Sequence, residues 1–215
     1  MMKKMDYEKW PRKEIYEFFR PLSMPFYNVC FQMDVTALYD FVKKNGVPFY
    51  PAMIWACDEA LNSIEAFRYS MKDGELILYE KRHPSFTDLK KGSEIFHIVT
   101  MRHIEDIREF CLEAKRRSNV QEKFIDMEQE SDDLIYYSCL PWLDITSLSN
   151  EHDLRKESLD DSVPRIAWGK IRDEGQRKTL TLSVEVNHRF IDGYHISEFA
   201  RKLGECMDSL DTVSL

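Results

Sequence analysis

The chain has 215 residues, of which 43% are hydrophobic and 32% are charged, so its composition is that of a globular protein and excludes a disordered chain. The 38 acidic residues outnumber the 30 basic ones, and the resulting formal net charge of −8 argues against a nucleic-acid partner. The chain contains no apolar run of membrane-spanning length and no signal peptide, and its five cysteines are dispersed without a Cys-X-X-Cys pair. These features predict a cytoplasmic protein with no membrane partner and no disulfide framework.

The first part of the chain alternates helical and extended patterns. Apolar residues at helical spacing and the Asn45-Gly46 stop signal predict helices over 11–20, 36–44 and 51–62. The segment 27–35 is rich in aromatic and β-branched residues and is predicted to be a strand. Asp73-Gly74 separates two extended runs within 68–80, which predicts a hairpin.

The second part of the chain has the same mixed character. We predict strands over 95–101, 134–139, 165–171 and 179–188, helices over 104–117 and 194–210, and an acidic exposed segment over 118–133. Strands and helices mix without a strict βαβ rhythm, and neither a linker nor a repeat interrupts them. The expected fold class is α+β: a single domain over residues 1–215, built as a two-layer sandwich with helices packed on one large mixed sheet.

The most informative segment is the predicted strand that ends at His188. Side chains alternate across a strand, so His188 falls in phase with the apolar residues before it, which are Leu180, Leu182, Val184 and Val186. Burial on that face disfavours the charged imidazole. A neutral, positioned imidazole is what a general base acting on a hydroxyl needs.

Other interpretations of this segment remain open from the residues alone. His188 could be a core histidine whose nitrogens are satisfied by hydrogen bonds. Asp192 directly precedes Gly193 and a predicted helix, so it could serve only as the N-cap of that helix. His188, Asp192 and His195 could also be metal ligands, but the turn between strand and helix scatters their directions, and we expect no metal.

The segment Asn-His-Arg-Phe-Ile-Asp-Gly, residues 187–193, resembles the HHxxxDG motif of the chloramphenicol acetyltransferase family. The resemblance extends in family order over almost the whole chain. It includes Trp10-Pro11-Arg12, Phe49-Tyr50-Pro51-Ala52, Phe67-Arg68, residues 71–76, His83-Pro84 with Thr87, Pro141-Trp142 with Thr146-Ser147, and Gly169-Lys170. The fold expected from this resemblance is the α+β fold of that family.

The resemblance also implies a reaction and a role for each matching residue. The family's second motif histidine, matched by His188, deprotonates an acceptor hydroxyl, which attacks acetyl-CoA directly. The family aspartate pairs with an N-terminal arginine and shapes the histidine turn, and Asp192 and Arg12 match these positions. A family serine matched by Ser147 donates to the oxyanion. Lys170 matches a lysine near the CoA phosphates, so acetyl-CoA is the expected co-substrate.

Family members are similar in quaternary structure, which implies a homotrimer with active sites between subunits. The residues matching the family's acceptor pocket are Phe19, Met24, Pro25, Tyr27 and Phe96, a wall suited to a nitrophenyl ring. The same side chains would equally suit core packing, and it is the resemblance that makes chloramphenicol the expected acceptor. Another hydroxyl compound, or a non-catalytic homologue that binds CoA or another ligand, is the alternative.

The sequence departs from the family pattern at four positions. Asn187 replaces the first motif histidine and, by strand phase, should point away from the catalytic face. Ala167 replaces a threonine before the Gly-Lys pair, Ile171 replaces a tyrosine near CoA, and Pro25 stands where a cysteine is common. These changes leave the base, the oxyanion serine and the Arg–Asp pair in place, so they affect acceptor choice and efficiency more than reaction type.

Overall fold

A computed structural model describes residues 1–90, 92–155 and 159–210. Its strands are β1 (Met2–Lys4), β2 (Phe26–Asp34), β3 (Tyr69–Lys72), β4 (Glu75–Tyr79), β5 (His83–Leu89), β6 (Phe96–Thr100), β7 (Leu134–Cys139), β8 (Arg165–Trp168), β9 (Arg172–Glu174) and β10 (Arg177–Asn187). Its α-helices are α1 (Lys13–Phe19), α2 (Thr36–Asn45), α3 (Phe49–Asn62), α4 (Ile107–Val120) and α5 (Gly193–Ser209). Within these ranges, no helix is both long and apolar enough to cross a membrane.

The strands form one large mixed sheet and one small sheet. The large sheet runs in the order β2-β10-β8-β7-β5-β6, with β9 paired to β10. The pairs β5–β7 and β7–β8 are parallel, and the other pairs of this sheet are antiparallel. The small antiparallel sheet has the order β1-β4-β3. Together with the packed helices, this arrangement confirms the predicted α+β fold with a large mixed sheet.

Strand β10 has two contrasting faces, as the alternation in its sequence predicts. One face joins the hydrophobic core and is fully buried: Leu180, Leu182, Val184 and Val186. The opposite face is polar and also buried: Thr181, Ser183, Glu185 and Asn187. Because buried polar groups need partners, the polar face must be covered by groups that hydrogen-bond to it. That requirement determines much of the site described below.

Several local predictions are confirmed. Asp73 and Gly74 have φ angles of 51° and 78°, which make the tight turn between β3 and β4. Helix α2 ends at Gly46, whose φ of 66° is the left-handed conformation that glycine adopts without strain.

Several elements differ from the sequence-based expectation: the short strands β1 and β9 have no predicted counterpart, and the strand expected over 165–171 ends at Trp168. Strand β5 was not predicted, because Pro84 lacks a backbone donor and disfavours a strand; the structure places it second in β5, opposite Ile135. Helix α4 begins at Ile107 rather than at residue 104, because the Asp106 side chain accepts hydrogen bonds from the amides of Arg108 and Glu109 as its N-cap.

Candidate active site

His188 directly follows the last residue of β10. Its backbone amide donates to the carbonyl of Pro25 at 2.9 Å, which extends the pairing with β2 and fixes the start of the turn. Its ring stacks on Phe19, with centroids 4.0 Å apart, and is tilted against Tyr27 at 4.5 Å. The imidazole is therefore held between two aromatic rings from the start of the chain.

His188 differs from the other five histidines of the chain in the hydrogen bonding of its ring. His97, His103 and His152 are bonded to Ser118, Asp58 and Glu185, respectively. His83 accepts from the amide of His103, and His195 accepts from the amide of Asp192. Among the described residues, neither ring nitrogen of His188 makes a hydrogen bond, and its side chain is 35% exposed. A core histidine would be buried and paired, so the geometry favours a reactive group.

The surroundings of His188 favour its neutral form. Partial burial lowers its pKa below the usual value, and the positive charge of Arg12 lowers it further. Asp192, whose Oδ1 lies 3.8 Å from His188 Nε2, acts in the opposite direction but is outweighed. An imidazole that is neutral near pH 7 is able to accept a proton.

Arg12 and Asp192 form a two-point ion pair beneath this turn. Arg12 Nη2 donates to Asp192 Oδ1 at 2.9 Å, and Nη1 donates to Oδ2 at 2.5 Å. Nη2 also donates to the backbone carbonyl of His188 at 3.2 Å. The guanidinium lowers the pKa of Asp192, so the carboxylate stays ionised. The pair thus ties the N-terminus of the chain to the residue that bears the imidazole.

Asp192 has an architectural role at the start of α5. Asp192 is the N-cap residue of α5, and its amide donates to His195 Nδ1 at 3.0 Å, so its architectural role is supported. Both of its oxygens are engaged by Arg12. In the described part of the chain, no group of three His, Cys, Asp or Glu side chains is arranged to hold a metal ion.

Asn187 points away from the imidazole, as strand phase predicts. Its amide nitrogen donates to the carbonyls of Leu159 and Asp161, both at 2.9 Å, and its oxygen accepts from the amide of Arg189 at 3.0 Å. The residue therefore satisfies the polar side of the sheet and leaves the catalytic side unchanged.

Sequence reasoning missed Arg189, which is 2% exposed. Its guanidinium donates to the carbonyls of Arg20 and Leu22 at 2.5 and 3.2 Å, and to Asp160 Oδ1 at 2.9 Å. It thereby fixes the chain directly after α1, the helix that supplies Phe19 to the imidazole. The available signal was an arginine between apolar residues inside the motif, at a position that the motif leaves unspecified.

Ser147 lies on an exposed segment that we call the serine loop, residues 143–150, rather than on a strand. Among the described residues, neither a hydrogen bond nor an ion pair joins Ser147 to His188. The loop is held near its start, where the amide of Lys170 donates to the carbonyl of Leu143 at 2.8 Å. The Lys170 side chain is exposed. A Cβ on Gly169 would lie 2.8 Å from the Leu143 oxygen, so glycine is required for this close approach.

A cavity of about 660 Å³ lies between β5, β7 and the start of α3. Aromatic rings dominate its lining: Phe49, Tyr50, Phe96, Trp142 and Trp168. Asp88 and Glu94 are also among the lining residues. The volume suits a small organic molecule, and we call this space the aromatic cavity.

The residues matching the family acceptor pocket are divided in this chain. Phe19 and Tyr27 contact the His188 ring, and Pro25 bonds to its backbone. Met24 is 55% exposed. Phe96 lines the aromatic cavity, which His188 does not line. The single chain therefore presents the imidazole and the cavity as separate features.

Comparisons with known proteins show the family of this chain. The family described as chloramphenicol acetyltransferase matches residues 1–204. The chain belongs to the chloramphenicol acetyltransferase family. It is 29% identical over 213 residues to a chloramphenicol acetyltransferase of Klebsiella sp, covering 95% of this chain and 93% of that protein. It is also 29% identical over 210 residues to chloramphenicol acetyltransferase 3 of Escherichia coli, covering 96% and 97%.

Solved structures confirm the chloramphenicol acetyltransferase fold. One structure of a chloramphenicol acetyltransferase superposes with a TM-score of 0.86 at 24% identity, covering 96% of this chain and all of that one. A dihydrolipoamide acetyltransferase of Azotobacter vinelandii has a TM-score of 0.68 at 20% identity, covering 94% and 88%. Membership of the chloramphenicol acetyltransferase family makes this protein an acyltransferase, and the family's acetyltransferase activity is the one that its relatives support.

The other departures from the chloramphenicol acetyltransferase pattern have ordinary packing environments. Ala167 is buried in β8 opposite Ser183 of β10. Ile171 packs against the hydrophobic core at its edge. Neither substitution disturbs the described geometry around His188.

Proposed function

We propose that this protein is an acetyl-CoA-dependent O-acetyltransferase in which His188 is the general base and chloramphenicol is the acceptor. One observation carries the proposal: His188 is the histidine whose ring is partly exposed, makes no hydrogen bond among the described residues and has a pKa shifted toward its neutral form. Arg12 and Asp192 hold its backbone in place. The names of the relatives support the acceptor.

The proposed reaction is a direct transfer. An imidazole nitrogen of His188 takes the proton of the acceptor hydroxyl, and the oxygen forms a bond to the thioester carbonyl carbon of acetyl-CoA. The resulting oxyanion is stabilised by the hydroxyl of Ser147, a contribution that is typically ~3 kcal/mol. The carbon–sulfur bond then breaks, the CoA thiolate takes the proton from the imidazolium, and the acetyl ester and CoA leave. Lys170 is proposed to bind the CoA phosphates.

The division between imidazole and cavity supports a shared site. We propose that residues 1–215 form one domain and that three copies associate, so that His188 of one subunit faces the aromatic cavity of its neighbour. Phe96 would then join Phe19, Met24, Pro25 and Tyr27 around the acceptor. This arrangement explains how Phe96 serves the reaction although it lies apart from His188 within one chain.

A second acceptor class is favoured by the carboxyl groups of the aromatic cavity. Asp88 and Glu94 line it together with five aromatic residues, and among the described residues no lysine or arginine belongs to the lining. Aromatic faces and carboxylates both attract cations. An alcohol that carries an ammonium group is therefore the alternative acceptor, with the same acetyl transfer.

The test is a spectrophotometric assay of CoA thiol release with acetyl-CoA and each acceptor. We expect His188→Ala to lower kcat/KM by about 10²–10⁴-fold, because it removes the general base. His83→Asn is the matched control, since an amide oxygen replaces the Nδ1 acceptor of a half-buried histidine outside the site. Full activity of His188→Ala would refute the mechanism. If the enzyme acetylates the alcohol that carries an ammonium group but not chloramphenicol, the proposed acceptor is that alcohol.

A further inference from the structure

The serine loop is anchored from the polar face of β10 by a buried carboxylate. Glu185 is 3% exposed, three residues before His188. Its Oε2 accepts from the backbone amide of Asn150 at 2.8 Å and from the Asn150 side chain at 2.9 Å. Both bonds hold the end of the loop, three residues after Ser147.

A second bond from the same strand acts on the residue next to Ser147. The hydroxyl of Ser183 donates to the carbonyl of Leu148 at 3.1 Å and accepts from the side chain of Asn28 at 2.6 Å. Lys170 and Gly169 hold the beginning of the loop. Ser147 is thus an exposed residue between two fixed points of a segment that has no regular secondary structure of its own.

The remaining oxygen of Glu185 is bonded to His152. Burial raises the pKa of Glu185, but the hydrogen bonds from His152 and Asn150 outweigh this effect and lower it. The carboxylate therefore stays ionised and accepts, and Nε2 of His152 is the donor. The His152 ring stacks on Phe26, with centroids 3.7 Å apart and planes 11° apart. His152 and its stacking partner therefore hold the carboxylate in the orientation that serves Asn150.

We propose that Glu185, oriented by His152, is a positioning residue for the oxyanion-stabilising hydroxyl of Ser147. A loop without helix or strand bonds needs other partners to hold a side chain in one place, and a displacement of about 1 Å at a reacting group costs up to about a hundredfold in rate. Glu185 supplies two of those bonds. The proposal rests on the role of Ser147 in the proposed function.

The test is a double-mutant cycle between Glu185→Ala and Ser147→Ala. We expect Glu185→Ala to lower kcat by about ten- to a hundredfold while both KM values change little, because the loop is misplaced but the substrates still bind. In the Ser147→Ala background, Glu185→Ala should change kcat by less than about threefold, because the group that it positions is already missing.

Three further variants separate positioning from stability. Thr181→Val is the matched control, since Thr181 is buried on the same face of β10 but bonds to Gln32 instead of the loop. We expect it to keep kcat. Asn150→Asp leaves the core intact and places a second carboxylate against Glu185, so kcat should fall. Glu185→Gln alone should keep most of kcat, because its amide oxygen can accept both bonds from Asn150 while its NH2 group donates to the other tautomer of His152.

The outcomes distinguish the two proposals. An unchanged kcat in Ser147→Ala would overturn the oxyanion role of Ser147 and the positioning role with it. An impaired Ser147→Ala combined with an equal loss from Glu185→Ala in both backgrounds would overturn the positioning role alone. A loss of kcat in Glu185→Gln as large as that in Glu185→Ala would also overturn it. Thermal unfolding of each purified variant shows whether a loss of kcat accompanies loss of the fold.

Discussion

The neighbours of His188 favour its neutral form, which the proposed role as a general base requires. The aromatic rings of Phe19 and Tyr27 exclude water from its faces, and Arg12 places a positive charge near it. His103 has the opposite environment. Burial alone would lower its pKa, but hydrogen bonds to Asp58 and Glu59 raise it to about 9. The pKa values of the two histidines differ because carboxylates hydrogen-bond to the ring of His103, whereas both oxygens of Asp192 are bonded to Arg12 instead of His188.

This environment makes a prediction about pH. The base is active when deprotonated, so kcat/KM should rise with pH and reach half its plateau below pH ~6.5, the ordinary value for histidine. Arg12→Ala removes a positive charge and leaves Asp192 unpaired, and both changes raise the pKa of His188. The midpoint of the pH–rate profile should therefore move upward in the variant. A wild-type midpoint above 7, or an unchanged midpoint in Arg12→Ala, would contradict this.

The Arg12–Asp192 pair also links stability to pH. The pKa of Asp192 is lowered on folding, so the pair stabilises the native state above the unfolded value of ~3.9 and loses this effect as pH falls through the lower native value. We expect the stability deficit of Arg12→Ala, measured by urea unfolding, to be present at pH 7 and smaller at pH 3. A deficit independent of pH would show that packing, not the ion pair, is responsible.

Strand β10 is the element that organises the site. Its apolar face joins the core, its polar face holds the serine loop through Ser183 and Glu185, and its end presents His188. The neighbouring strand β8 ends at Trp168, and the next residue, Gly169, lies in close contact with Leu143 and Ile145. Two adjacent strand segments therefore place both groups that the proposed reaction needs.

The close approach at Gly169 can be tested by adding one methyl group. In Gly169→Ala the new Cβ would lie 2.8 Å from the Leu143 oxygen and from Ile145 Cγ1, so the serine loop must move. We expect kcat to fall at least about tenfold and stability to fall by about 1–3 kcal/mol. Gly204→Ala is the control, because its Cβ meets only Met33 Cε at 3.5 Å within α5, and it should stabilise the protein by up to about 1 kcal/mol. Kinetics and thermal unfolding decide, and normal kcat in Gly169→Ala would contradict the prediction.

The described residues pack around a hydrophobic core, and His188 is not among the residues that line the aromatic cavity. The core joins residues of the large sheet to helices α2, α3, α4 and α5. The cavity opens beside β5 and β7, whereas His188 lies beyond β10, on the other side of β8 in the sheet order. The proposed site therefore combines the imidazole of one copy of the chain with the cavity of another.

Mixed assemblies test this arrangement. His188→Ala removes the base, and Phe96→Arg places a charge in the aromatic cavity at an exposed position, so each variant alone should be inactive. If each site combines the imidazole of one subunit with the cavity of another, trimers refolded from an equal mixture should regain about a quarter of wild-type activity. Sedimentation measures the assembly and the CoA release assay measures activity. No recovery in mixed trimers would place both features in one subunit.

The sequence by itself determined the family and the α+β fold, and it predicted His188, Arg12 and Asp192 as candidate site residues. Strand alternation and motif spacing carry this information because they depend on residues close together in the chain. Even the direction of Asn187 followed from strand phase. Only the tertiary structure decided that Arg189 fixes the chain after α1, that Glu185 anchors the serine loop, and that Phe96 lies in a cavity apart from His188. These contacts join segments that are distant in sequence, so the hydrogen-bond partners of a buried charged residue are known only from the folded structure.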